Sequence, residues 1–262
     1  GETMYRAVQD CLERLRDAGI PAISVLGNHE QPHYQDRFSW LDYLAGRRLL
    51  ILLNPSYDRQ RGLSFAPYQD GAGGHIDVGE TRIYGIRYYG ALMPRLVEET
   101  AAYLRAAHQS QPPAFTILVT HAGLDGIIPN FAANLTREQL AILRPYVHYV
   151  ALGHIHKPYI ENDWIFNPGA SEPVSLPEAE HRGGGYLVEM DTGRDPAIAV
   201  SRRRYWERPF LRLAHSVSGY NSPDELYAGV ERDLEAGRTE TGRRPVVEYT
   251  LEGILHFEAR AL

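Results

Sequence analysis

The chain has 262 residues, 44% hydrophobic and 23% charged, enough to bury the core of one large or two modest domains. No apolar run approaches about 18 residues, so no membrane span is expected, and Cys11, the single cysteine, excludes an internal disulfide and fits a reducing, cytoplasmic setting. A net charge of −6 gives no overall pull on nucleic acid, so any DNA binding must come from local basic patches or metal ions.

The start, Gly1-Glu2-Thr3-Met4, has neither a signal pattern nor an initiator Met at position 1, and reads as a fragment boundary. Met4, Val8, Leu12 and Leu15 recur at helical spacing, which predicts a helix over Thr3–Ala18 with Thr3 as its cap and Gly19 as its stop. A short apolar strand, Ala22–Leu26, follows and closes in Gly27-Asn28-His29-Glu30. Asp36–Leu44 is expected as a second helix, with Phe38, Leu41 and Leu44 on one side. Leu49–Leu53 is of strand length, and Asn54–Gly74 is loop-like. His75–Val78 and Thr81–Ile86 flank Gly79-Glu80 as a hairpin. Pro94–His108 is a helix by its shared apolar face. Phe115–Thr120 is a buried strand ending at His121. Thr136 with Gln139 makes a capping box for a short helix to Leu143. Tyr149–Leu152 is a strand that runs into Gly153-His154-Ile155-His156, and Trp164–Phe166 is a brief strand before Asn167-Pro168-Gly169-Ala170-Ser171. Gly185–Met190 and Ala197–Arg203 pair. Past Tyr205–Pro209 the pattern changes to a helix, Asp224–Glu235, and a strand, Pro245–Leu251. The expectation is one domain over 1–205 and the start of a second over 206–262.

Three strands therefore end in candidate ligands: Asn28 with His29, then His121, then His154 with His156. Parallel neighbours would bring these ends to one edge of a sheet, where α/β sites form. Residues two apart in extended backbone face the same side, so His154 and His156 can look one way while Ile155 turns to the core. Imidazole binds Mn, Fe or Zn, and the Asn oxygen adds a neutral, harder donor. A mixed N/O set without cysteine points to catalytic rather than structural metal. Arg202-Arg203-Arg204 and Arg243-Arg244 each admit two readings, a solvated edge or a nucleic-acid backbone contact. The Pro168-Gly169 turn and Ser171 likewise admit two, a plain turn or a phosphate contact.

GNHE, the TH pair and GHIH resemble the last three motifs of the calcineurin-like metallophosphoesterases. The resemblance implies an α/β fold (α+β by some schemes), a β-sandwich flanked by helices with a small α+β capping domain at the C-terminus, and two divalent metal ions, Mn²⁺ favoured and Mg²⁺, Fe²⁺ or Zn²⁺ possible. By motif, Asn28, His121 and His154 would bind one metal and His156 the other. His29 would serve as the acid or leaving-group stabiliser in a two-metal hydroxide attack, and Glu30, where the family usually has Asp, would orient it. The helix before GNHE, VTHAGLDG and ALGHIHKP followed by WIFNPGASEP are most similar to the SbcD-type double-strand-break repair nucleases and related DNA repair exonucleases. That branch implies phosphodiester hydrolysis of DNA, exonucleolytic and possibly endonucleolytic, an SbcC-like ATPase as partner, and a homodimer, for which Tyr5, Trp40 and Tyr43 offer spare apolar groups. His33 and Ser171 are candidate substrate contacts.

The family's first two motifs, Asp-x-His and Gly-Asp-x-x-Asp/His, have no counterpart before Gly27. The expectation is that the chain begins just after the second of them, that most of the first metal's ligands lie outside it, and that these residues alone are inactive. Two alternatives stand beside the nuclease reading: a phosphodiesterase or phosphatase acting on nucleotides or small phosphoesters, and a non-catalytic subunit.

Overall fold

The computed structural model describes residues 2–30, 38–58, 60, 62–109, 112–129, 135–181, 183–191, 197–204, 208–241 and 244–258. The chain divides into two units, Gly1–Gly169 with Tyr186–Arg202, and Ala170–Gly185 with Arg203–Leu262. The expected boundary at 205/206 lies in 205–207, outside the described residues.

In the first unit α1 spans Glu2–Asp17, so Thr3 lies inside the helix and is not its cap. Gly19, at φ 71°, ends it as expected. The Gly19 N–H donates to the Arg16 carbonyl and the Ile20 N–H to the Leu15 carbonyl, both at 2.9 Å, the two bonds of a glycine-terminated helix. Val8 and Leu12 pack on Leu26, Leu41, Leu44, Leu49 and Leu50, which leaves Met4 and Tyr5 outward. Strand β1 is only Ile23–Ser24. Helix α2 runs Trp40–Gly46, later than expected, because Ser39 takes the cap. The Asp42 N–H donates to Ser39 Oγ at 3.1 Å and the Ser39 N–H to Asp42 Oδ2 at 2.8 Å. Phe38 therefore precedes the helix and is exposed rather than packed on its apolar face. Strand β2, Ile51–Leu52, pairs in parallel with β1.

The stretch expected as a loop holds an antiparallel pair, β3 (Ser56–Asp58) and β4 (Gly62–Ser64). Beyond it come β5 (His75–Val78), β6 (Thr81–Ile86), α3 (Met93–Ala107), β7 (Phe115–Thr120), α4 (Arg137–Ala141), β8 (Tyr149–Leu152), β9 (Tyr159–Glu161) and β10 (Ile165–Asn167). Strands β5 to β8 keep the expected bounds, and Thr136 caps α4 in a capping box with Gln139. One six-stranded sheet has the order β5-β6-β7-β8-β10-β9. Its centre, β6 to β10, is parallel and its edges are antiparallel. Such a centre needs cover on both faces. On one face Leu96, Val97, Ala101 and Leu104 of α3 and Leu140 of α4 pack on Tyr84, Ile86, Leu118 and Val150. On the other, Phe115, Tyr149 and Phe166 meet Tyr186, Val188, Ile198 and Val200 from the paired strands β11 (Gly185–Asp191) and β12 (Ala197–Arg203). The result is helices, sheet, then a second small sheet. Burying each such Leu or Ile contributes about 1.5–3 kcal/mol.

The second unit is a strand–helix–strand crossover. Strand β13 (Phe210–Ser216) pairs in parallel with β14 (Val246–Glu252), joined by α5 (Pro223–Thr241). Ser222 caps α5, accepting from the Glu225 N–H at 3.3 Å. Among its described residues Val217 and Leu226 are buried apolar side chains. Among the described residues no helix is long and apolar enough to cross a membrane.

Candidate metal centre

Register brings the candidate ligands together. Ile86 stands opposite Thr120, and Thr120 opposite Leu152, so β6, β7 and β8 stop at one level. The Gly153 N–H still donates to the Thr120 carbonyl at 3.1 Å, which sets His121 beside Gly153. The Tyr88 N–H donates to the Leu26 carbonyl at 2.8 Å and ties the segment before Gly27-Asn28 to the same edge.

Two glycines make the slot for the His121 ring. A Cβ on Gly27 would stand 2.8 Å from His121 Cε1 and 2.9 Å from Nδ1, and one on Gly153 would stand 3.1 Å from Nδ1. Neither position has room for a side chain without moving the ring. In that slot His121 Nε2 lies 2.8 Å from Asn28 Oδ1, and His154 Nδ1 lies 3.4 Å from the same oxygen. The two imidazole centroids are 5.2 Å apart at 68°. His154 reaches this place through a backbone at φ 83°, a left-handed conformation that costs a side-chain-bearing residue energy and gathers at functional sites.

Burial pushes His121 down to about 4, and the nearby His154, His29 and His156 push the same way. His154 is lowered by burial first, then by His156 and His29. Both imidazoles are thus neutral at pH 7, the form a metal ligand must have. The mutual repulsion also sets His29 and His156 within electrostatic reach of the pair.

His29 is exposed and His156 half-buried, while Ile155 between the two loop histidines is buried as expected; the cause differs, because His154 at φ 83° is not in the extended backbone that the two-residue alternation assumes. The Glu30 carboxylate lies over Gly27, where a Cβ would meet Oε2 at 2.5 Å, and so sits beside the His121 ring. Ser171 belongs to the second unit, its carbonyl packed against Gly183. His33 lies outside the described residues, as does Arg243. Arg202 is half-buried and Arg203 and Arg204 are exposed; the Arg244 carbonyl accepts from Arg208 Nε at 3.2 Å.

Two residues beyond those singled out in the sequence shape the centre. Asn167, fully buried, donates through Nδ2 to the carbonyls of Ile155 at 2.7 Å and Lys157 at 2.9 Å, clamping the histidine loop from behind. Gly169, at φ 80°, completes the clamp, since a Cβ there would stand 2.5 Å from the His156 carbonyl oxygen. The Asn-Pro-Gly turn was visible in the sequence, but its buttressing role was not. Tyr88 is the other: its ring lies 5.5 Å from that of His154 and 5.8 Å from that of His121. A tyrosine just past a strand carries no signal that separates it from a core residue.

Among the described residues no three His, Cys, Asp or Glu side chains converge as a ready metal cage. The convergent set is one carboxamide oxygen and two neutral imidazole nitrogens. That set fits a divalent ion of intermediate hardness.

Residues 3–158 match the family model of the calcineurin-like phosphoesterases. The chain belongs to that family. Relatives of this phosphoesterase include the DNA double-strand break repair protein Mre11 of Aeropyrum pernix, 26% identical over 240 residues, covering 87% of this chain and 53% of the relative. The Mre11 protein of Methanosarcina mazei is 26% identical over 245 residues, covering 86% of this chain and 32% of the relative. That of Haloferax volcanii is 27% identical over 232 residues, at 86% and 44%. The chain spans about half or less of the length of these relatives.

Proposed function

We propose that this chain is the phosphoesterase portion of a metal-dependent DNA repair nuclease that hydrolyses phosphodiester bonds at DNA ends. The observation that carries the reading is the convergence of Asn28, His121 and His154 at one sheet edge, in a chain that aligns over most of its length with double-strand-break repair proteins. In this reading Asn28, His121 and His154 hold one divalent ion, His156 contributes to a second, and Mn²⁺ is the favoured metal. When bound, such ions polarise the phosphoryl group and neutralise charge on the leaving oxygen. His29, exposed beside the pair, donates the proton to that oxygen, the general-acid role that imidazole takes most often. Glu30, whose carboxylate lies over Gly27, is proposed to orient His29. His33 and Ser171 are proposed substrate contacts, and the strand–helix–strand unit after Arg203 the start of a DNA-capping domain.

Two partners belong to the proposal. An SbcC-like ATPase is one. A second copy of the chain is the other, docked through α1 and α2, where Tyr5, Trp40 and Tyr43 are 53%, 39% and 48% exposed and the Tyr5 and Trp40 rings meet edge-on at 6.1 Å. Tyr and Trp are enriched at interfaces, where an apolar ring body meets a polar tip.

The test uses the complete gene product with Mn²⁺ on linear duplex DNA and, separately, on a chromogenic phosphodiester. DNA ends are degraded, and His29→Ala lowers the rate by about 10²–10⁴-fold while Mn²⁺ affinity stays near the parent value. Undiminished cleavage by His29→Ala removes its assigned role. Turnover of the chromogenic ester without attack on DNA supports instead the small-phosphoester reading, which the net charge of −6 favours.

A further inference from the structure

Tyr88 lies two residues past the last registered pair of β6 and β7, Ile86 with Thr120. Its chain neighbour Tyr89 joins the main core, donates its hydroxyl to Asn54 Oδ1 at 3.2 Å and carries the Arg87 guanidinium over its ring at 4.8 Å. Tyr88 turns the other way. Its ring lies 5.5 Å from the His154 ring with 32° between the planes, a tilted stack, and 5.8 Å from the His121 ring at 83°, an edge contact. Both arrangements are ones that aromatic quadrupoles favour. Its backbone N–H, donated to the Leu26 carbonyl, anchors the chain one residue before Gly27. One residue thus touches all three ligand-bearing segments: by its ring at His121 and His154, and by its backbone at the root of Asn28.

The two histidines need such a partner for different reasons. His121 lies between Gly27 and Gly153 with Nε2 2.8 Å from Asn28 Oδ1, contacts that hold its plane and one nitrogen, and an edge contact sets the tilt of the ring. His154 stands on a left-handed backbone at φ 83°, a conformation that persists only where the surroundings over-determine it. A flat ring against both imidazoles restrains both at once.

We infer that Tyr88 is the positioning residue of this half-site: its ring sets the relative orientation of the His121 and His154 imidazoles, and with it the affinity for a divalent cation. The inference rests on the ligand role proposed above for Asn28, His121 and His154. Tyr88 touches the ligands and not the reacting atoms, so its effect is read on metal binding before it is read on turnover.

The experiment is a Mn²⁺ titration of the complete gene product as parent, His154→Ala, Tyr88→Leu and Tyr88→Phe, with visible spectra of the Co²⁺-loaded proteins. The parent binds Mn²⁺ and His154→Ala loses that binding. Tyr88→Leu weakens it about tenfold or more, the scale of residues that orient metal ligands, and shifts the Co²⁺ bands, which report ligand geometry. Tyr88→Phe, which keeps the ring, restores both. A residue of purely structural importance would lower the melting temperature of Tyr88→Leu and leave affinity and bands alone. Should Tyr88→Leu not fold, nuclear Overhauser contacts from the Tyr88 ring to the His121 and His154 ring protons in the metal-free parent test the same arrangement, and their absence overturns it. Parent-like affinity in His154→Ala overturns the ligand reading itself. Loss in His154→Ala with parent-like affinity and bands in Tyr88→Leu overturns the role of Tyr88 alone.

Discussion

The two units of this chain each hold a histidine centre, and the two are wired differently. In the second unit His215 has both ring nitrogens engaged: Nδ1 lies 2.6 Å from Asp233 Oδ2 and Nε2 lies 3.0 Å from the Tyr220 hydroxyl. Tyr249 donates its hydroxyl to the same Asp233 oxygen at 2.7 Å, and Tyr220 stacks on the imidazole at 5.4 Å and 19°. The Tyr249 hydrogen bond first, and His215 second, hold Asp233 below the usual carboxylate range. Burial, and then its bond to Asp233, push Tyr249 up to about 12. A Cβ on Gly229 of α5 would stand 2.4 Å from the Tyr220 hydroxyl. This is a strut that fastens α5 to β13 and β14, with both ring nitrogens of His215 and the Asp233 carboxylate hydrogen-bonded. In the first unit His121 and His154 aim nitrogens at one neutral carboxamide oxygen, and their near neighbours His29 and His156 repel the charged form. A histidine completed by a carboxylate and a phenol serves the fold. Histidines gathered around a shared oxygen, and kept neutral, have the chemistry of the ligand set proposed above.

Changes that strike the two centres separate these roles, and the largest effect falls on His154. His154→Gly abolishes Mn²⁺ binding, a loss of more than about 100-fold in affinity, while the thermal midpoint of the metal-free protein stays level or rises, because glycine adopts the φ of 83° without strain. A drop in midpoint on that substitution would place His154 with the structural histidines. Gly27→Ala comes next. Its Cβ pushes on the His121 ring and on Glu30, lowering Mn²⁺ affinity about 10- to 100-fold and costing about 1–3 kcal/mol in urea unfolding. Asn167→Ala leaves two loop carbonyls without their donor and costs about 1–3 kcal/mol, with a smaller loss of metal affinity. His215→Phe removes the strut: the second unit melts earlier, by about 1 kcal/mol, and Mn²⁺ affinity does not change.

The smallest effect is a pH dependence carried by histidines outside both centres. His108 and His148 are lowered from 6.5, by burial first; Arg82 and His148 also act on His108, and Arg144 on His148. The unfolded chain takes up these protons more readily than the folded one, so stability is at its plateau above about pH 6.5 and declines as pH falls through the folded values. Urea midpoints of the metal-free protein at pH 7.5, 6.5 and 5.5 follow that course, with His121 and His154, lowered in the same direction, adding to the decline. In the His108→Gln, His148→Gln double variant the acid-side slope is shallower.

Much of this was legible in the residues. Phe115–Thr120 and Tyr149–Leu152 are apolar runs bounded by turn chemistry, and register alone then carries His121 and Gly153-His154 to one level. Thr136 with Gln139 announced α4 through its capping box. The misses have a common physics. Strand β3 is exposed throughout and shows no alternation, and β9 has only three residues, too short a run for its alternation to register. Strand β13 alternates in burial, but no element is expected there from the sequence, because its partner β14 begins only at Val246. Helix α2 was set too early because Phe38 fits the apolar period, and the Ser39–Asp42 cap that outweighs it is made of polar residues. Tyr88 and Asn167 act on the ligands through ring faces and loop carbonyls, contacts that exist only after strands distant in sequence have met.

The central claim is that Asn28, His121 and His154 form one half-site for a divalent ion. Electron spin-echo envelope modulation of the Mn²⁺-loaded complete gene product tests it most directly, since the technique detects imidazole nitrogens bound to the ion. The account predicts histidine nitrogen coupling in the parent, a weaker coupling in His121→Ala and likewise in His154→Ala, and no change in His215→Phe. Coupling that is absent from the parent, or undiminished in both His121→Ala and His154→Ala, would contradict it.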